Sequence, residues 1–195
     1  MTKRREKLEQ AFALEWGAKN LERVNYFQGQ LLSASDLQIE QEYFLARLRR
    51  HNHYMHGWGV VSGLTVSTQS STEIVVEPGL ALDCYGNEIH VCTPVRRSVP
   101  RLPDVQFVII NYSEAKTSPM VRLSDPAIPD IGEQMQSRIR EGFQIDVVSA
   151  DPTSIHRDKE TGGPGSECLH RICIARLKRS GKSWKVEHRS RRLRR

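Results

Sequence analysis

The sequence predicts a mainly β protein with N-terminal α-helices: an antiparallel β-sandwich or open barrel of roughly eight strands, preceded by a short arm helix and one longer helix. Three features carry that expectation. Apolar residues at helical spacing are confined to the chain before Gly57. Beyond it the pattern changes to runs rich in β-branched residues, parted by Gly, Pro and small polar residues. One run, VQFVIINY from Val105 to Tyr112, is apolar and free of Pro and Gly, as a central strand should be. The chain divides into an amphipathic arm (1–20), a helical module (21–57), a β-domain with two long loops (58–177), and a hairpin end with a basic tail (178–195).

In the arm, Leu8, Phe12 and Trp16 recur four apart on one helical face with Ala11 beside them, and Gly17 and Asn20 supply stop signals. Asn25 to Leu32 is extended or turning, with Gly29 as pivot. A helix then runs to about Arg50. Its expected cap is Ser35, with Gln38 completing a capping box and Asp36 favouring the positive end of the dipole. Leu37, Gln41, Phe44, Leu45 and Leu48 form one face; Ile39, Tyr43 and Ala46 form a second apolar strip. A helix apolar on two sides needs two surfaces to pack against.

Strands are expected at Val60–Ser67, Thr72–Glu77, Leu80–Asp83 and Glu88–Thr93, an antiparallel meander turned at Gln69–Ser71, Pro78-Gly79 and Tyr85-Gly86-Asn87. Pro94 to Pro103 reads as a connector because of its prolines. After the central strand comes a long loop (113–136), a strand over Ser137–Ser149, a second long loop (150–167), a strand over Leu169–Leu177, and a closing hairpin through Ser180-Gly181 into Trp184–His188.

The formal charge of +6 is unevenly spread: Lys178 to Arg195 holds nine Lys/Arg and one Glu, a local +8 that leaves −2 for the rest. Arg189, Arg191, Arg192, Arg194 and Arg195 form the densest basic cluster and are candidate contact residues, with direct membrane contact through this tail as one reading. No aromatic residue is interleaved after Trp184, which argues against single-stranded nucleic acid as the partner. No run of about 18 apolar residues suggests a membrane-spanning helix. The N-terminus lacks the apolar stretch of a secretory signal, so synthesis in the cytoplasm is expected. The four cysteines (84, 92, 168 and 173) contain no CxxC and read as reduced thiols.

Signals for chemistry are weak. His51, His53 and His56 have H-x-H-x-x-H spacing, which zinc sites use. No carboxylate lies within the motif, and Arg47, Arg49 and Arg50 adjoin it, which would repel a cation. The competing reading is a structural corner in which His51 and His56 hydrogen-bond turn carbonyls, with Asn52 and Gly57 closing the helix. Ser62 sits in G-x-x-S-G rather than the G-x-S-x-G of a nucleophile elbow. Asp83 and Glu88 flank a tight turn and read as solvated surface. Glu114, Arg138, Arg140 and Glu141 suggest a buried structural ion pair, and neither GxGxxG nor GxxxxGK[ST] occurs. No cofactor is expected, and the chain reads as a non-enzyme.

A further signal is a resemblance. It is carried by YFQGQLL from Tyr26, SDL from Ser35, EQEY from Glu40 and RxHNxxxHGWGVVxGL from Arg49. It continues in PGLALDxxGNEI from Pro78, NYSE from Asn111, SRIREGF from Ser137 and IARL from Ile174. The order of these blocks resembles a module of phage-tail-like particles, found in tail-tip proteins and accessory proteins of contractile injection systems. His53 and the basic Leu177–Arg195 end depart from the pattern.

The resemblance implies a structural subunit that decorates or braces the baseplate or outer shell. Its partners would be other copies of itself and baseplate, sheath or tube proteins, within a particle that is membrane-attached or released. Leu8, Phe12, Trp16 and Tyr43 are the expected anchors, since aromatic and apolar residues dominate interface cores. Tyr26, Phe27, Gly29, His51, Asn52, His56, Gly57, Trp58, Gly59 and Gly63 would form the corner that joins helix to sheet. Two alternatives stand beside this: a carbohydrate- or surface-binding module using the long loops, and a metal-dependent hydrolase at the histidines.

Overall fold

The structure is a computed structural model and describes residues 21–121, 134–152 and 171–188. Its one helix among these residues, α1 (Ala34–His51), runs into a π-helical turn (Asn52–His56). Ten strands follow: β1 (Gly59–Gly63), β2 (Val66–Thr68), β3 (Glu73–Val76), β4 (Gly79–Leu82), β5 (Glu88–Val91), β6 (Val95–Ser98), β7 (Val105–Val121), β8 (Gln134–Val148), β9 (Ile172–Ser180) and β10 (Ser183–His188). The mainly β, antiparallel class expected from the sequence is therefore present.

The meander is there as well, but each of its arms is bent. Sheet order β1-β4-β5 and sheet order β2-β3-β6 are the two halves of one three-armed ribbon: β1–β2, β3–β4 and β5–β6. The bends fall at Gly63-Leu64, Pro78-Gly79 and Thr93-Pro94. Gly63 and Gly79 stand opposite each other in register. A Cβ on Gly63 would lie 2.1 Å from the Pro78 carbonyl oxygen, so only glycine admits this approach. The predicted single strand over Val60–Ser67 is thus two. The connector reading of Pro94–Pro103 is corrected too: β6 pairs with β3 along Glu73↔Ser98 to Val76↔Val95. Pro94 does not end the arm; it marks the bend, where a missing N–H costs no ladder bond.

The remaining sheet has order β10-β9-β7-β8. β7 lies between two partners, as its composition predicts, pairing with β9 over Val105–Ile110 and with β8 along almost its whole length. One core joins all the sheets: Ile74 and Val76, Ile89 and Val91, Val108 and Ile110, Ile174 and Leu177 are all buried in it. Trp184 on β10 belongs to it as well, donating its indole N–H to the Ser71 carbonyl at 2.9 Å under the Arg179 guanidinium. His188 closes the same seam, its Nε2 3.1 Å from both the amide and the carbonyl of Val66.

The loop expected over 113–136 is largely strand. Ser113–Val121 and Gln134–Gly142 form a two-stranded extension of β7 and β8 beyond the core, paired from Ser113↔Gly142 to Val121↔Gln134. Proline misled the sequence reading: Pro119 sits inside a ribbon that pairs with no third strand among the described residues, where one missing donor is tolerated. The second long loop lies outside the described residues apart from its first positions.

Candidate protein–protein interface at the helix and its corner

The helical module is strapped together locally and clamped at one end. The helix is capped two residues earlier than expected. Ser33, not Ser35, is the N-cap, and Asp36, not Gln38, closes the box: the Asp36 amide donates to Ser33 Oγ at 3.2 Å, and the Ser33 amide donates to Asp36 Oδ2 at 2.8 Å. The Ser33 hydroxyl, and then its backbone amide, hold the Asp36 carboxyl below its ordinary pKa. Ahead of the cap, Gly29 adopts φ +85° and the Gln30 amide donates to the Phe27 carbonyl, turning the extended segment back along the helix. The Tyr26 hydroxyl then donates to the Glu40 carboxylate, which raises the phenol's pKa by stabilising its protonated form.

At the C-terminal end the helix opens into the π-turn, and Gly57 at φ +73° ends it with its amide on the His53 carbonyl. Asn52 is buried and donates from Nδ2 to the Gly86 carbonyl at 3.0 Å. His53 bonds the Cys84 carbonyl through Nδ1 at 2.9 Å and stacks on Trp58. The carbonyl bonds at this corner thus come from Asn52 and His53, whereas His51 and His56 meet ring edge to ring face. Asn52 and His53 reach the 83–88 turn, whereas His51 and His56 are exposed.

The turn that receives the helix is itself rigid. Asp83 is fully buried and accepts from the Tyr85 and Asn87 amides and from Asn87 Nδ2 at 2.7–2.9 Å. The expectation of a solvated acid holds for Glu88 but not for Asp83, which serves as the internal frame of the turn. Gly86 follows at φ +86°, and a Cβ there would lie 2.1 Å from the Arg49 carbonyl oxygen. Backbone thus meets backbone where the helix lands.

Arg49 makes a second connection, an ion pair with Glu114 at 3.3 Å. The sequence suggests a buried ion pair among Glu114, Arg138, Arg140 and Glu141. In register, however, Glu114 stands opposite Glu141, and Arg49 supplies the countercharge at a half-exposed position. The Tyr112 hydroxyl donates to Glu114 at 2.8 Å, and burial, followed by this bond and the Glu141 charge, pushes its pKa well above the ordinary phenol value.

Against this firm anchorage stands the exposure of the helix itself. No residue of α1 is buried. Leu37, Phe44 and Leu48 are 50%, 59% and 48% exposed on one face, and Leu31 just before the helix is 92% exposed. Tyr43 is half-buried, with its ring edge-on to Phe44. Among the described residues, therefore, nothing buries the main apolar face of the two-sided helix of the sequence reading. Among the described residues no His/Cys/Asp/Glu group has the arrangement to hold a metal ion, and Cys84, Cys92 and Cys173 are in no disulfide. No helix among them is long and apolar enough to cross a membrane. The expected anchors Leu8, Phe12 and Trp16, and the arginines at 189, 191, 192, 194 and 195, lie outside the described residues.

No protein-family model matches the sequence, and no curated protein matches it. Solved structures do match. A chain in the TssK-TssF-TssG baseplate subcomplex of the type VI secretion system aligns at TM-score 0.50 and 11% identity, covering 86% of this chain and 60% of that one. A chain of the baseplate complex from the type VI secretion system aligns at TM-score 0.51 and 11% identity, covering 87% of this chain and 41% of that one. The present chain thus spans 60% and 41% of the two chains it resembles, less than two thirds of either. At such identity the likeness is one of fold: this helix-and-sheet architecture is similar to that of baseplate components of a phage-tail-like system.

Proposed function

We propose that the protein is a non-enzymatic structural subunit of a contractile, phage-tail-like injection particle. In this reading it sits at the baseplate or outer shell, joined to neighbouring particle subunits by its helical module and its basic end. One observation carries the proposal: α1 is capped, strapped and clamped to the β-domain, yet its apolar face is left open. Most of a helix's stability in a protein comes from tertiary packing on its apolar face. A face of this kind, held rigidly in place, fits an interface completed by another chain. The fold shared with baseplate chains supports the same assignment.

The test is a paired substitution on the open face, Phe44→Glu with Leu48→Glu, in the full chain expressed with the rest of its particle. Because both residues are about half exposed, unfolding free energy should change by less than about 1 kcal/mol. Incorporation into sedimenting particles should be lost. A folded variant that still co-sediments at wild-type stoichiometry overturns the proposal.

A further inference from the structure

The open face carries a pattern that selects its occupant. Leu37, Gln41, Phe44 and Leu48 follow one another at spacings of four, three and four, the seam of a two-helix coiled coil, and all are exposed. Charge along the helix is polar end to end. Asp36, Glu40 and Glu42 occupy the first half, and Arg47, Arg49 and Arg50 the second. From this we infer that the face binds the same face of a second copy, with the two helices antiparallel about a two-fold axis.

The register follows from the seam. Leu37 layers against Leu48 of the second copy, and Gln41 against Phe44. On one flank of that seam Glu40 comes beside Arg47 of the second copy, and symmetry repeats the pair. On the other flank Leu45 comes beside Gln38 of the second copy. A parallel pair places acidic half on acidic half and basic half on basic half, and Glu40 then gains no cation. It also brings both β-domains together, because each is clamped to the Arg49–Asn52 end of its helix. Antiparallel pairing sets the β-domains at opposite ends of a helix pair about 27 Å long. Glu40 already accepts from Tyr26, and its carboxylate retains acceptor sites for a guanidinium. Two such helices bury less than a standard interface of about 1,600 Å², so the dimer is concentration-dependent on its own and firm only within a larger assembly. This inference rests on the reading of α1 as an interface and names the partner.

The experiment is sedimentation velocity of the full chain across a concentration series. Wild type should shift from monomer toward dimer. Glu40→Arg and Arg47→Glu should each weaken self-association about tenfold, since two attractive contacts become repulsive. An equimolar mixture of the two variants should regain wild-type affinity, because the introduced arginine of one then faces the introduced glutamate of the other. A wild-type chain that stays monomeric at all concentrations overturns the inference. So does a mixture that associates no better than either variant. Deletion of residues 1–20 should leave association unchanged. A tighter dimer after deletion would assign the face to the arm and likewise overturn the inference. Incorporation of the same variants into particles is measured in parallel: a monomeric wild type whose variants fail to incorporate removes the second copy while keeping the interface reading.

Discussion

Replacing Gly86 by alanine should loosen the seat of the helix, and a control within the same chain isolates the reason. Gly86 and Gly181 both have left-handed φ, +86° and +62°. Alanine there costs about 1–2 kcal/mol in backbone strain alone. Around Gly181 a Cβ meets nothing within 4 Å, so Gly181→Ala should cost only that. At Gly86 the added carbon would lie 2.1 Å from the Arg49 carbonyl oxygen and 2.7 Å from its carbon. Neither neighbour is a flexible side chain, so helix and turn must separate. Separation breaks the buried Asn52–Gly86 bond, worth about 1–3 kcal/mol when the donor is left unsatisfied. Gly86→Ala should therefore exceed Gly181→Ala by about 2 kcal/mol. Urea unfolding compares the two variants, and hydrogen exchange over residues 49–57 locates the effect. Equal stabilities, with unchanged exchange at that corner, would refute the clamp.

Two further outcomes follow from the same turn and its neighbour. Asp83→Ala leaves the Tyr85 and Asn87 amides without their acceptor inside a buried turn and should destabilise by about 2–4 kcal/mol in urea unfolding; Asp83→Asn, which keeps a carbonyl, should cost less. Tyr112 should resist ionisation in an ultraviolet titration, remaining protonated at a pH where an ordinary phenol is half ionised. Its raised native pKa means the unfolded state loses the proton first, so its contribution is complete below about pH 10 and falls as pH rises beyond that. Glu114→Gln should lower the Tyr112 pKa toward the ordinary value.

Much of the architecture was legible in the sequence because it rests on local pattern. The apolar run of β7, the turn at Tyr85-Gly86-Asn87 and the closing hairpin all carry short-range signals. What escaped depends on contacts distant in sequence. Pro94 and Pro119 resemble strand breakers until the partner strands are known. The bend at Thr93-Pro94 then explains the first, and a ribbon with no third strand among the described residues the second. Asp83 looks like an exposed acid until its own turn folds around it. At the helix start Ser33 and Ser35 offer rival capping boxes, and only the observed frame chooses the acid at 36. At the corner Asn52 and Gly57 close the helix as the spacing suggests, but the carbonyl bonds come from Asn52 and His53 rather than from His51 and His56, a partner choice that needs the folded 83–88 turn. The exposure of α1 lay beyond sequence reasoning altogether: a heptad seam shows that a face wants cover, not whether the same chain supplies it.

The most direct test of the account is a reconstruction of the assembled particle that resolves what lies against Leu37, Phe44 and Leu48. The account predicts that this face is buried by another polypeptide while the β-domain keeps its clamp on Asn52. A particle containing the chain with that face open to solvent, or one that assembles without the chain, would contradict it.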